Sequence, residues 1–421
     1  MQMQQTVRLF DIGVLLSEVL DFISSELVDH HKIVAYIADC LAGELGMPEE
    51  ARKRAMLAGL AHDIGALSLR ERMDSLKFEL ENPNRHAELG AMFLELADPF
   101  SDAARVVRHH HEPWNHGDCT PDTPEEAHIV HLADRVSVLI DPRREILGQV
   151  DGIRAKIRRY AGALFAPHIV GAFEFLAARE SFWFSLTRPL LGASLKRRGR
   201  LMGEVSMDID ALGGLARLFC RLIDFRSRFT STHSSGVAAV ASLLSHYTGM
   251  SDDDARLMEV AGYFHDIGKL AVPLEIIEKP AALNKDEFNI VKSHAFYTYY
   301  LLDRIPMLHT VRDWAALHHE RLNGKGYPFH YTFEKIPLGA RVMAVADVFT
   351  AMTEDRPFRK AMRLTEAMWT IGNMADSMTL DGDIVRVLAS HMDEINDVRG
   401  TAQREALESY ASFGMDMKRA V

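Results

Sequence analysis

Only three cysteines occur in the 421 residues, Cys40, Cys119 and Cys220. So scattered a set excludes a disulfide framework and a thiolate metal cluster. Long apolar runs are missing too: none reaches the roughly 18–20 residues that a bilayer-spanning helix needs. The opening MQMQQTVRLFDIGVLL lacks a basic start and a small-residue cleavage site, so no secretory signal is legible and a soluble, cytoplasmic protein is expected. Positive charge is in deficit. A formal net charge of −11 argues against nucleic-acid polymers and anionic membranes as partners. It leaves room for an anionic substrate, because bound metal ions can dominate the local field. Strictly alternating β patterns are nearly absent.

What is present is helix. HKIVAYIADCLAGEL, SGVAAVASLLSHYTG and PLGARVMAVADVFTAMT space their apolar residues three and four apart. Turn signals such as Gly46-Met47-Pro48 and Asn323-Gly324 follow such segments. The class expected is all-α, in a chain long enough for two or three domains.

One series of ligand-type residues is written twice. His30, His62, Asp63, His86, His110, His111 and Asp134 recur as His233, His265, Asp266, His294, His318, His319 and Asp347. The offset is 203 for the first three (233−30, 265−62, 266−63), 208 for the next three (294−86, 318−110, 319−111) and 213 for the last (347−134). Two short insertions in the second copy account for both steps. A chance HD dipeptide is cheap; seven residue types in the same order at nearly the same gaps are not, so a metal site has been duplicated. Imidazoles and carboxylates without thiolate suit iron, manganese or another first-row divalent ion. Two such ions can activate a water and clamp a phosphodiester. LFAPHIVGAFEFL in the first copy echoes LDGDIVRVLASHM in the second, so the expected organisation is a first domain over 1–188, a basic, glycine-punctuated linker over 189–205, and a second domain over 206–421.

The second copy resembles the HD-GYP family of bacterial cyclic-dinucleotide phosphodiesterases, over essentially residues 226–390. HDIGKLAVP, KSHAFYTYYLL, HHERLNGKGYP and IPLGARVMAVADVFTAMTEDRPFRKAM carry the resemblance. It implies two tandem HD-superfamily bundles and hydrolysis of cyclic di-GMP or cyclic GMP-AMP to linear 5′-phosphorylated dinucleotide and on to mononucleotides. By that resemblance His233, His265, Asp266, His294, His318, His319 and Asp347 hold two divalent ions, Asp266 and Lys269 are catalytic, and Lys269 also binds substrate phosphate. Arg356 and Arg359 bind the second phosphate. Tyr327 stacks on a base or meets a partner domain. Family members with a third metal have Glu four residues before the first His; this chain has Phe229 there, which cannot ligate.

The first copy keeps every ligand position but departs elsewhere. Ala66 replaces the lysine, the loop reads HHEPWNHGDC without GYP, and Arg143 and Arg144 remain in an altered turn. Glu26 precedes His30 by four residues, which makes Glu26, His30, His62, Asp63, His86, His110, His111 and Asp134 a second candidate metal set. Three roles compete for it: a regulatory or dimerising domain, a phosphohydrolase of different substrate, and a structural relic. Regulation and support are favoured. For the chain, the alternatives to a cyclic-dinucleotide phosphodiesterase are a receptor that docks a cyclase domain through its GYP loop and an HD nucleotide phosphohydrolase. A homodimer is compatible with either.

Overall fold

The computed structural model describes residues 5–23, 28–66, 78, 84–226, 232–355 and 359–420. Glu26, Phe229 and Arg356 lie outside them. The chain divides into two compact units, Thr6–Ser206 and Met207–Asp416. Among the described residues the only strands are Gln5–Arg8 and Glu204–Met207, paired as one small sheet near the two ends of the first unit. Everything else regular is helix.

Both units are built on one scheme. In the first, His30–Glu44 packs most extensively on Glu49–Ala61 and then on Glu125–Val138. In the second, His233–Tyr247 packs on Asp252–Phe264 and Leu338–Thr353. The apolar stripes legible at three-four spacing are the buried faces: Val34, Ile37 and Leu41 in one, Val237, Val240 and Leu244 in the other, all fully buried. Each such side chain contributes about 1.5–3 kcal/mol of burial.

Two glycines per unit set how closely these helices approach. A Cβ on Gly59 would lie 2.7 Å from Ala35 Cα, and one on Gly262 would lie 2.4 Å from Ala238 Cα. The HDIG glycines are tighter still: a Cβ on Gly65 would sit 2.1 Å from the carbonyl oxygen of His86, and one on Gly268 2.0 Å from that of His294. Nothing larger fits, so the third histidine of each series is held against the HD turn by the absence of a side chain.

The stretch expected as a linker over 189–205 is an ordered part of the first unit. Arg188–Arg198 is a helix whose Leu191 and Leu195 are buried. Arg198 Nη1 donates to Asp39 Oδ2 at 2.5 Å, while Arg52 Nη2 donates to Asp39 Oδ1 at 2.8 Å. Its basic residues read locally as solvated; the buried carboxylate that one of them serves lies 159 positions earlier.

Candidate metal centres

In the second unit six segments converge. His233 opens its helix and His265 ends Asp252–Phe264, with Asp266 next in the turn. His294 lies in Lys285–Asp303, His318 and His319 follow His309–Ala316, and Asp347 lies in Leu338–Thr353. Their ligand atoms gather in three overlapping groups, His233/His265/Asp347, His265/Asp266/His318 and His294/His318/His319, each within 4.8 Å. His233 Nε2 is 3.3 Å from Asp347 Oδ1, His265 Nε2 3.1 Å from Asp266 Oδ2, and His294 Nε2 3.5 Å from Asp266 Oδ1. All seven expected ligand residues are thus brought together.

The imidazoles are oriented by their other nitrogens. His265 Nδ1 donates to Gly262 O at 2.7 Å, His294 Nδ1 to Val291 O at 2.5 Å and His318 Nδ1 to Ala315 O at 2.5 Å. A protonated Nδ1 leaves the lone pair on Nε2, facing the cluster. There, His265 Nε2, His294 Nε2 and Asp266 Oδ1 are buried with no hydrogen-bond partner among the described residues. Buried polar atoms are rarely left so, and a cation is what this set would satisfy. Protonation agrees. Burial pushes His294 down to about 4 and His318 to about 3. Burial alone would raise Asp266, but its neighbours His265 and the Lys269 ammonium hold it well below the usual carboxylate range. Neutral imidazoles and ionised carboxylates are the ligating forms.

Lys269 is not on a continuing α-helix, as its four-residue spacing from His265 suggests. It lies on the 3₁₀ turn Ile267–Ala271 and reaches back to Asp266 Oδ2 at 2.5 Å. Tyr327 is half-buried with its ring 4.7 Å from that of His319, and its backbone N–H donates to His319 O at 3.2 Å. Arg359 donates to the carbonyl oxygen of Ala351, near the end of the Asp347 helix.

Three residues escaped the sequence reading. Glu354 Oε1 lies 2.8 Å from His233 Nδ1; it follows Asp347 by seven residues (354−347), two helical turns on one face, a signal that was available. Glu320 anchors the GYP loop, accepting from Phe329 N at 2.7 Å and Tyr331 N at 3.0 Å. Arg321 has a buried Nη1 without a hydrogen-bond partner among the described residues and lines a cavity of about 580 Å³ with His319, Tyr327 and Lys292.

The first unit assembles its own centre. Asp63, His86, His110 and His111 form one group and His30, His62 and Asp134 another, all buried. His86 Nε2 is 3.3 Å from Asp63 Oδ1, and His30 Nε2 is 3.3 Å from Asp134 Oδ1. His62 Nδ1 and His110 Nδ1 donate to Gly59 O and Val107 O, as in the second unit. Two details differ. Ser137 Oγ, not a carboxylate, meets His30 Nδ1 at 2.9 Å. The cation is Arg135, buried against Asp134 Oδ2, whereas position 66 is a buried alanine.

Profiles described as HD domain match residues 217–384 and 27–139. The 3′3′-cGAMP-specific phosphodiesterase 1 of Vibrio cholerae is 30% identical over 386 residues, covering 89% of each chain. The chain belongs to the HD-GYP family. This HD-GYP protein is also 38% identical over 156 residues to a cyclic di-GMP phosphodiesterase response regulator of Xanthomonas campestris, covering 37% of the present chain and 41% of that one. A crystal structure of a cyclic GMP-AMP specific phosphodiesterase from V. cholerae superposes with a TM-score of 0.63 at 20% identity, covering 92% of this chain and 98% of its own. That likeness establishes the fold: all-α, with two HD domains. No described helix is long and apolar enough to cross a membrane.

Proposed function

We propose that the second unit is a metal-dependent phosphodiesterase that opens a 3′,3′-cyclic dinucleotide to its linear 5′-phosphorylated form. The observation that carries this is the set of buried, unpartnered Nε2 and carboxylate atoms converging beside both Lys269 and an anchored GYP loop. Relatives of this HD-GYP protein act, by name, on 3′3′-cGAMP and cyclic di-GMP, which supports the substrate class.

His233, His265, Asp266, His294, His318, His319 and Asp347 would hold two divalent ions, with iron or manganese suited to nitrogen and oxygen donors. When bound, such ions supply an activated water and neutralise charge on the scissile phosphate. The chain's own residues do the rest. The Lys269 ammonium, now spent on Asp266 Oδ2, is close enough to the cluster to turn toward a phosphate oxygen. Arg356 and Arg359 take the second phosphate, for which a planar guanidinium is suited. Tyr327 packs on His319 and lines the adjoining cavity with Arg321 and Lys292. Glu354 keeps His233 in its ligating orientation. In the first unit, without GYP loop or Lys269 counterpart, cyclic-dinucleotide cleavage is not expected.

The test is turnover of cyclic GMP-AMP, cyclic di-GMP and a mononucleotide panel by chain loaded anaerobically with iron or manganese. Linear dinucleotide should appear from at least one cyclic substrate, cease on chelation and return on reloading. Turnover of mononucleotides with none of either cyclic substrate would replace this reading with a nucleotide phosphohydrolase.

A further inference from the structure

One cavity of the first unit is not accounted for by any of this. A cleft of about 840 Å³ opens between the start of the His30 helix, the segment after Asp134 and the Leu186–Pro189 turn, and His30 itself forms part of its wall. That size is in the range of small-molecule sites, about 300–1,000 Å³. Its chemistry is mixed in a particular way. Leu139, Ile140, Ile146 and Leu186 give an apolar wall, while Arg143, Arg144 and Arg188 stand along it. Asp29 and Asp141 supply carboxylates within the same lining. Arg143 is paired with Asp141 at 3.0 Å and Arg188 lies 3.9 Å from Asp29, both largely exposed. Arg144 is exposed and its side chain makes no hydrogen bond among the described residues; its backbone N–H donates to Asp141 O.

Guanidiniums beside a metal-type cluster suit a phosphate. A phosphate site alone would not need an apolar wall; that wall suits a flat, weakly polar ring. Carboxylates, which only accept, suit the hydroxyls of a sugar or the amino groups of a base. We infer that this cleft is a second ligand site, distinct from the centre of the second unit, and that it takes a nucleoside monophosphate: base on the Leu139–Ile140 wall, phosphate between the arginines and the His30 side. His30, in the cleft wall, fits this orientation, since its Nε2 lies 3.3 Å from Asp134 Oδ1 in the candidate metal group and a metal ion held there would draw the phosphate inward. The inference stands on the first unit alone and does not depend on what the second unit hydrolyses.

Equilibrium dialysis of the full, manganese-loaded chain with GMP and AMP tests it, with guanosine and inorganic phosphate as part-ligands. One saturable nucleotide site is expected to survive His265→Ala with Asp266→Ala. The same site should weaken by about tenfold or more in Arg144→Ala with Arg188→Ala, which removes two charged donors. Guanosine and phosphate should each bind at least about tenfold more weakly than GMP. These arginines are exposed, so the variant should melt as the parent does; a co-crystal with GMP gives an independent reading if it does not. Binding that follows the second-unit variant and ignores the arginine variant overturns the inference, as does phosphate alone binding as tightly as GMP, or no nucleotide binding at all.

Discussion

Lys269 and Arg135 each put a cation beside an aspartate of the repeated series, but on different aspartates: Asp266 in the second unit, Asp134 in the first. Lys269 is partly exposed and its partner has other neighbours, so its loss should be felt by substrate rather than by the fold. Lys269→Ala is expected to lower turnover or affinity by about 10- to 150-fold, the equivalent of one charge-assisted hydrogen bond. Metal content, measured beside the kinetics, should stay near that of the parent; a variant that arrives empty would make Lys269 a structural residue. Arg135 is fully buried, and removing it strands a buried carboxylate, which typically costs about 3–5 kcal/mol. At Glu354 the effect should be the reverse of that at Lys269. Glu354→Gln loosens the group that orients His233 and should weaken metal binding by about 10- to 100-fold, visible in a competition titration with a chelating dye. Unchanged metal affinity would mean that the 2.8 Å contact orients nothing.

At the scale of the element, the site depends on how near the Lys285–Asp303 helix comes to the HD turn. Gly268→Ala inserts a methyl 2.0 Å from a backbone oxygen of that helix. The contact is with main chain, so relief requires moving the helix, and His294 with it. Overpacking of this kind costs about 1–3 kcal/mol; the variant should melt several degrees lower and lose metal. Gly152→Ala is the contrasting case. It sits in the Val150–Arg159 helix with nothing within 4 Å of the added carbon, and should be neutral or stabilising by up to about 1 kcal/mol. If the two substitutions behaved alike in thermal melts, close approach would not be what Gly268 is for.

For the molecule as a whole, the two units should separate by mutation. His265→Ala with Asp266→Ala is expected to abolish cyclic-dinucleotide cleavage, and His62→Ala with Asp63→Ala to leave substantial activity; the opposite result would assign the active unit wrongly. Acid should destabilise the metal-free chain through its buried histidines. His294 is pushed down to about 4, and His318 and His131 to about 3, all by burial first. Between those values and the ordinary histidine pKa near 6.5, the unfolded chain binds protons that the folded chain does not, so stability rises with pH. It is therefore complete above about pH 6.5 and drains as pH falls toward 4, by about 1.4 kcal/mol per pH unit for each such histidine. Melting temperatures of chelated protein at pH 7, 6 and 5 should fall in that order. A flat profile would mean these imidazoles reach water when no metal holds them.

The ligand series, its duplication, the helical class and the family were all legible in the chain, because ligand chemistry restricts residue type and a 3.6-residue period exposes which face is buried. Even Glu354 was within reach of helical arithmetic. Arg198 was not: nothing near residue 198 says that its charge belongs to Asp39, and the helix it ends was read as a linker for that reason. Nor does sequence say which aspartate a nearby cation will choose, since Lys269 sits on a 3₁₀ turn and Arg135 on an α-helix, and the two geometries aim a side chain differently. Local pattern determined what each segment is and what chemistry it carries. Only tertiary packing decided which atoms face one another, because a buried charge is satisfied through space by whichever partner the fold delivers.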